Sequence, residues 1–359
     1  MTAVEHGTSA AAVGVIGMGA SSPIGHGTRP IQAAMAGGLR NFRTATMLGW
    51  NGERVRISRL PDVQETVPRA ARIDILIRAA IADLLASLQA VELPRNVPVF
   101  VGCAHDSPDS ELDTVGTALA EGSQGLLDPN AAPQFAGYRA GRIAFLSALG
   151  KAARWLEEES GELALVAAAD TRCTSSAMHA LFRQRRLLTS EDDGTIPGEA
   201  AVVALVASAS SRFTSQHARF LLCRPVFAQD DFEVLRQSPV ATHGLGHAFR
   251  ALRAQPIAGR ARPATVIAFE TGETFFTRAF ATGYLRNVQL MPEPLQHELI
   301  AANLGDTGAA AAGMALVRAD WTMRRLCTQV ATRVLIYGHA DSGACAATVA
   351  IGRSGGTAP

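Results

Sequence analysis

Asp306 stands in the stretch NLGDTGAAAAGMAL, residues 303–316, where a Gly-Asp-Thr-Gly turn runs straight into a helix of small residues. Glycines on both sides permit a tight turn, and the alanines let the helix pack closely, so the turn is built to set one polar side chain against a neighbour. If ionised, that carboxylate accepts hydrogen bonds and can hold a guanidinium, but it donates nothing. His243 and His247 have the i, i+4 spacing of zinc ligands, yet glycines interrupt the turn between them and no third ligand is evident, so they read as a pair at a helix start. The five cysteines, Cys103, Cys173, Cys223, Cys327 and Cys345, are scattered and lack CxxC spacing. That pattern argues against a disulfide framework or a structural zinc centre and fits a reducing cytoplasm; Cys103, after a strand, reads as a small buried residue. The loop GMGASSPIGHG lacks full GxGxxG spacing and the acidic residue about 20 positions on that would hold a ribose, so no dinucleotide is expected. The run RQRRLL, residues 183–188, reads as a basic helix end, solvated or bridged to the SEDD that follows. Neither a cofactor nor a metal is expected.

Positioning any of these groups takes a large core, and the chain can supply one. Its 359 residues are 48% hydrophobic, enough for two domains or one large duplicated α/β unit. A net charge of +1, with no run of like charges, excludes the electrostatic footprint of a nucleic-acid binder. Lys151 is the single lysine among 33 basic residues, so lysine chemistry is nearly excluded. The opening MTAVEHGTSAAAVGVIGMG has no basic leader and its apolar run is broken by glycines, so no secretory signal is expected; no segment reaches the length of a membrane span.

Short runs rich in valine, isoleucine and alanine alternate with segments of helical period, the pattern of an α/β protein with a buried sheet. Strands are expected over 13–19, 97–103, 163–170, 200–208, 218–227 and 264–271, and as a closing pair, RVLIYG and CAATVAIG. A helix over 69–88 puts Ile73, Ile77, Ile81 and Leu84 on one stripe and Arg72, Asp74, Arg78 and Asp83 elsewhere. Another helix runs through RIAFLSALGKAARWLEEE and stops at Gly161. The order of elements repeats coarsely, giving halves 1–212 and 213–359 with a boundary in SSRFTSQHA.

Several stretches, in order, resemble the ketoacyl synthase branch of the thiolase superfamily. VGVIGMGASSPIGHG is similar to the family's opening strand and loop, RAARIDILIRAAIADLL to its first surface helix, and LTSEDDGTIPGEAAVVALV to its acidic loop and following strand. VLIYGHADSGACAATVAI resembles the closing glycine-rich hairpin, and NLGDTGAAAAG the loop that carries a catalytic histidine or asparagine. The resemblance implies a five-layered αβαβα sandwich built from two duplicated halves, usually dimeric.

Condensation in that family needs a cysteine thiolate at a helix N-terminus, whose N–H groups lower the thiol pKa and stabilise the oxyanion, and two neutral donors for an enolate. Counting about 28 residues back from Asp170 places Arg142 at the nucleophile's position, with Ser147 the nearest hydroxyl and no cysteine within 30 residues. The first histidine's place falls on Phe269 or Glu270, depending on a one-residue shift, and Asp306 takes the second; the family's lysine is replaced by Ala301. None of these supplies the required donors, and an Arg142 pair with Asp306 or Glu270 is the natural filler of a vacated pocket.

Three functions follow from the resemblance. One is a catalytically inactive ketosynthase-like partner subunit or adaptor, in a homodimer or a heterodimer with a related synthase, for which a link to a bacterial type VI secretion effector cluster is one form. Another is an active β-ketoacyl-ACP synthase or acyltransferase with displaced catalytic residues. The third binds acyl chains or acyl carrier protein without turnover. No nucleic acid or membrane partner is expected.

Overall fold

The computed structural model describes residues 13–353 apart from 89–90, 92, 95–96, 124–136, 160, 231–242, 257, 259–260 and 327–330; Cys327 and the first part of the opening stretch lie outside the described residues. The N-terminal half runs β1 (Val13–Ser22), β2 (Gly25–His26), α1 (Thr28–Ala36), β3 (Phe42–Leu48), β4 (Arg54–Ser58), α2 (Arg69–Ser87), β5 (Val99–Cys103) and α3 (Asp109–Gly122). It continues through β6 (Gly137–Arg139), α4 (Ala144–Glu158), β7 (Leu163–Thr171), α5 (Ser175–Arg183), β8 (Glu199–Ser208) and α6 (Arg212–His217). The C-terminal half runs β9 (Phe220–Leu222), β10 (Val226–Gln229), α7 (Gly244–Ala254), β11 (Thr265–Ala268), α8 (Thr274–Arg286) and β12 (His297–Leu299). It closes with α9 (Ala301–Leu304), α10 (Ala311–Arg325), β13 (Arg333–His339) and β14 (Ala344–Gly352).

Strand order makes the duplication explicit. One half is ordered β6-β5-β7-β8-β1 and the other β12-β11-β13-β14-β9, joined where β9 pairs with β1. In each half the central pair is parallel, β5 with β7 and β11 with β13, and the next strand, β8 or β14, returns antiparallel. A parallel pair needs a crossover, and α4 and α10 occupy the equivalent places in chain order. The boundary at 212/213 falls inside α6, and no break in the sheet separates the halves.

Alternation along the strands explains the layers. On β7, Ala164, Val166 and Ala168 face a middle core shared with α4 and α10, whereas Leu163, Leu165, Ala167 and Ala169 face an outer core with α2 and α3. On β13, Val334 and Ile336 face the same middle core, and Leu335 and Tyr337 face a third core with α7 and α8. Both faces of each sheet are therefore covered, which is why these strands read as continuous apolar runs. The result is the thiolase-like αβαβα sandwich, with α4 and α10 as its innermost helices.

Four local expectations need correction. The strand expected over 218–227 divides into β9 and β10 around Pro225, which has no N–H for the ladder. The short strands β2, β3, β4, β6 and β12 carried too few alternating residues to be anticipated. Arg72, placed on the polar side of α2, is fully buried and meets Glu199 at 3.1 Å. Of the run 183–188, expected to be solvated or bridged to the SEDD that follows, Arg185 meets Asp192 at 3.1 Å, but Arg186 is buried against Glu273. Among the described residues no helix is long and apolar enough to cross a membrane.

Candidate functional site

Two tight turns bring the site together. A 3-10 turn, Gly141–Ile143, leads into α4, and another, Gly308–Ala310, leads into α10. Gly308 has φ +53°, and a Cβ there would lie 1.9 Å from Asp170 Oδ2, so only glycine lets the Asp170 carboxylate approach the turn and accept the Ala309 N–H at 2.8 Å.

Arg142 sits in the turn that starts α4, 1% exposed. Its Nε donates to the His339 carbonyl at 2.9 Å, Nη1 donates to Asp306 Oδ2 at 3.1 Å, and Nη2 donates to Asp341 Oδ1. The guanidinium also lies 5.0 Å from the centre of the Phe276 ring. Asp306 Oδ1 accepts the Gly308 N–H at 3.0 Å, and Arg172 Nε lies 3.9 Å from Oδ2. Arg186 forks onto Glu273 at 2.8 Å per contact and reaches Asp341 at 3.0 Å. Beside this network Arg69 holds Asp170 at 2.7 Å and Glu111 at 2.5 Å.

Burial by itself would raise the Asp341 carboxyl, but Arg142 and Arg186 outweigh it and hold the group well below the usual carboxylate range. Asp170 is lowered in the same way, with Arg69 and Arg172 opposing desolvation. Asp341 and Asp170 are thus kept ionised by guanidinium neighbours. They accept hydrogen bonds and cannot donate one to a developing oxyanion or enolate. An open cleft of about 550 Å³ leads to this centre, lined among others by His105, Asp106, Asp170, Arg172 and Ser342, with Arg142 also on its wall.

The candidates from the sequence separate in space. Arg142 and Asp306 meet. Phe269 and Glu270 point to opposite faces: Phe269 joins the middle core, its ring closing against Gly338, whereas Glu270 bonds His339 Nδ1 and does not pair with Arg142. Ser147 lies within α4, its Oγ donating to the Ile143 carbonyl at 3.1 Å, the back-bond of a helical serine. The described cysteines are all buried, and burial pushes the Cys103 and Cys223 thiols up to about 11, away from thiolate chemistry. His243 precedes α7, where it meets Arg286 at 2.6 Å, and His247 lies in the first turn of that helix.

Arg172, Arg186, Glu273 and Asp341 are the members that the sequence did not reveal. They come from segments distant in the chain, and only Arg186 carried a signal, its place in the basic run 183–188.

Two innermost helices headed by tight turns, between duplicated sheets, make up a thiolase-like fold of the kind that ketosynthases adopt. The chain is similar to the ketosynthase from module 6 of the bacillaene synthase from Bacillus subtilis 168, with a TM-score of 0.73 at 12% identity over 96% of this chain and 72% of that one. It is similar to the ishigamide ketosynthase/chain length factor, with a TM-score of 0.68 at 19% identity over 96% of this chain and 100% of that one. A chain from the complex of a type II PKS acyl-carrier protein with its ketosynthase bound to the hexaketide gives 0.77 at 12% identity, over 96% of this chain and 100% of that one. No protein-family model and no curated protein matches the sequence.

Proposed function

We propose that this chain is a ketosynthase-like protein that does not condense acyl groups and serves as a partner subunit or adaptor. The observation that carries the reading is Arg142 at the head of α4, clamped by Asp306 and Asp341 where a nucleophile is required. A guanidinium cannot form a thioester, and carboxylates standing in place of neutral donors do not favour the enolate of a decarboxylating malonyl group. An adaptor role beside a type VI secretion effector is one form of this partner-binding reading, and a cytoplasmic location accords with it.

Intact-mass measurement tests the absence of acyl transfer. After incubation with acyl thioesters the purified protein is expected to keep its unmodified mass, and malonyl turnover is expected to be absent. A stoichiometric adduct on Ser147 or on a cysteine would instead establish an active synthase or acyltransferase with displaced residues.

The cleft favours a second reading, binding of an acyl chain or acyl carrier protein without turnover. Its lining carries both Arg172 and Arg142. A carrier-protein complex seen by titration, without chemistry, would select this reading over the adaptor.

Assembly is the other expectation. The N-terminal half ends in the short strand β6, whose outer edge has no strand beside it among the described residues. An open edge is a pairing surface, and a two-fold partner would close it. Light scattering is expected to return twice the chain mass, or that of a complex with a related synthase. A monomer at micromolar concentration, unchanged on adding a candidate subunit, counts against the proposal.

A further inference from the structure

The strongest unassigned cluster adjoins the cleft without lining it, on the outer face of the C-terminal sheet. His339 ends β13 and pairs across the hairpin with Cys345 of β14, while Cys345 pairs with Ala228 of β10. Cross-strand partners share a face, and residues two apart on a strand share a face. Asp230, two residues beyond Ala228, is therefore delivered to the same side as Cys345 and His339. Ala268 pairs with Tyr337, so Glu270, two residues on, arrives beside His339 by the same rule. Four neighbouring strands each place one ligand-type side chain at the same end of the sheet.

The distances fit a metal centre. Asp230, His339 and Cys345 are 4%, 0% and 0% exposed, and one ligand atom from each lies within 4.8 Å of the other two. Asp230 Oδ1 accepts the N–H groups of His243 and Gly244 at 2.7 and 2.5 Å, which fixes the carboxylate. Its buried Oδ2 lies 3.4 Å from His339 Nε2. A charge-assisted N–H···O bond is shorter, about 2.7–2.9 Å. A nitrogen and an oxygen each about 2.0–2.1 Å from one tetrahedral ion are separated by roughly 3.3–3.4 Å. On its other side His339 Nδ1 meets Glu270, the arrangement in which a carboxylate orients a metal-bound imidazole.

We propose that Asp230 Oδ2, His339 Nε2 and Cys345 Sγ bind one divalent cation of the zinc class, with Glu270 as the positioning residue behind His339. The mixed oxygen, nitrogen and sulfur set suits zinc over magnesium or calcium, which take oxygen ligands. Three protein ligands leave the fourth tetrahedral position for water. On binding, Cys345 releases its thiol proton and its sulfur forms the bond to the metal. His339 releases its Nε2 proton to solvent, keeps the Nδ1 proton facing Glu270 and presents the Nε2 lone pair. The site holds the β13–β14 hairpin to the segment after β10 and to the start of α7, and Phe276, 5.8 Å from the His339 ring, packs between it and Arg142.

The test uses the full chain without a histidine tag, stripped with chelator and reloaded with zinc or cobalt alone. About one zinc per chain is expected by elemental analysis, with a rise in Tm on zinc addition because the metal binds the folded state. Cobalt loading is expected to give a near-ultraviolet sulfur-to-cobalt band, absent in Cys345→Ser, and visible bands altered in Asp230→Asn. Both variants are checked for folding by circular dichroism. If either fails to fold, the cobalt spectrum of the wild-type chain decides: a thiolate band supports the site, and its absence from the folded protein overturns it. Zinc binding that persists undiminished in folded Cys345→Ser also overturns it, because the ion then lies elsewhere.

Discussion

Replacing Arg142 by alanine is expected to lower the free energy of unfolding by about 3–5 kcal/mol, because it strips two carboxylates of their guanidinium inside the protein. Asp306 is 1% exposed at its side chain and would keep only the Gly308 N–H and the distant Arg172. Asp341 would keep Arg186. A urea midpoint comparison reads the effect directly. Adding Asp306→Asn to the alanine variant is expected to recover part of the loss, since the unpaired charge is then gone. A double-mutant cycle measures that coupling, and additive effects would show that the two side chains do not act as a pair.

The sign of the pH dependence follows from Asp341, which the arginines hold below the ordinary carboxylate pKa. A depressed carboxylate contributes stability that is present above its unfolded pKa, about 3.9, and is lost as pH falls through the folded value. Arg142→Ala should raise the folded value. The stability gap between wild type and variant is therefore largest near neutral pH and narrows below about pH 4. A gap that stayed constant down to acid unfolding would remove Asp341 from the account.

Arg72→Ala is expected to have an effect of similar size, about 3–5 kcal/mol, at a buried pair that does not itself line the cleft. Both partners are fully buried. Arg72 Nη1 donates to each oxygen of Glu199 at 3.1 Å, Nε donates to the Val67 carbonyl at 3.2 Å, and Nη2 donates to the Gln64 carbonyl. Glu199 in turn accepts the Leu60 N–H and the Thr171 hydroxyl, both at 2.7 Å. The pair ties the loop before α2 to the start of β8, and removing the cation leaves a buried glutamate without its counter-ion. Arg72→Met with Glu199→Leu removes both charges and keeps volume, so the double variant should be far less destabilised than Arg72→Ala. Equal loss in the two would point to the loop carbonyls as the important partners. Neither variant should alter ligand binding in the cleft.

The sequence by itself determined the layered α/β class and the order of the long strands, because strands buried on both faces must be apolar throughout. It also determined that no cysteine reaches the head of α4 and that the Gly-Asp-Thr-Gly turn places Asp306 before α10, since both are matters of spacing along one segment. The resemblance left Arg142 to pair with Asp306 or Glu270, and only the folded chain brings it to Asp306. Tertiary structure alone decided which face Phe269 and Glu270 occupy, because a one-residue shift in a strand reverses every side chain and the flanking residues did not fix that register. It alone decided that Arg72 and Arg186 are buried: a guanidinium goes inside only when a carboxylate is there to meet it, and Glu199, Glu273 and Asp341 come from remote segments. The Asp230, His339 and Cys345 cluster has the same origin, since hydrogen-bonded strand register, which no local pattern encodes, is what sets those three side chains on one face.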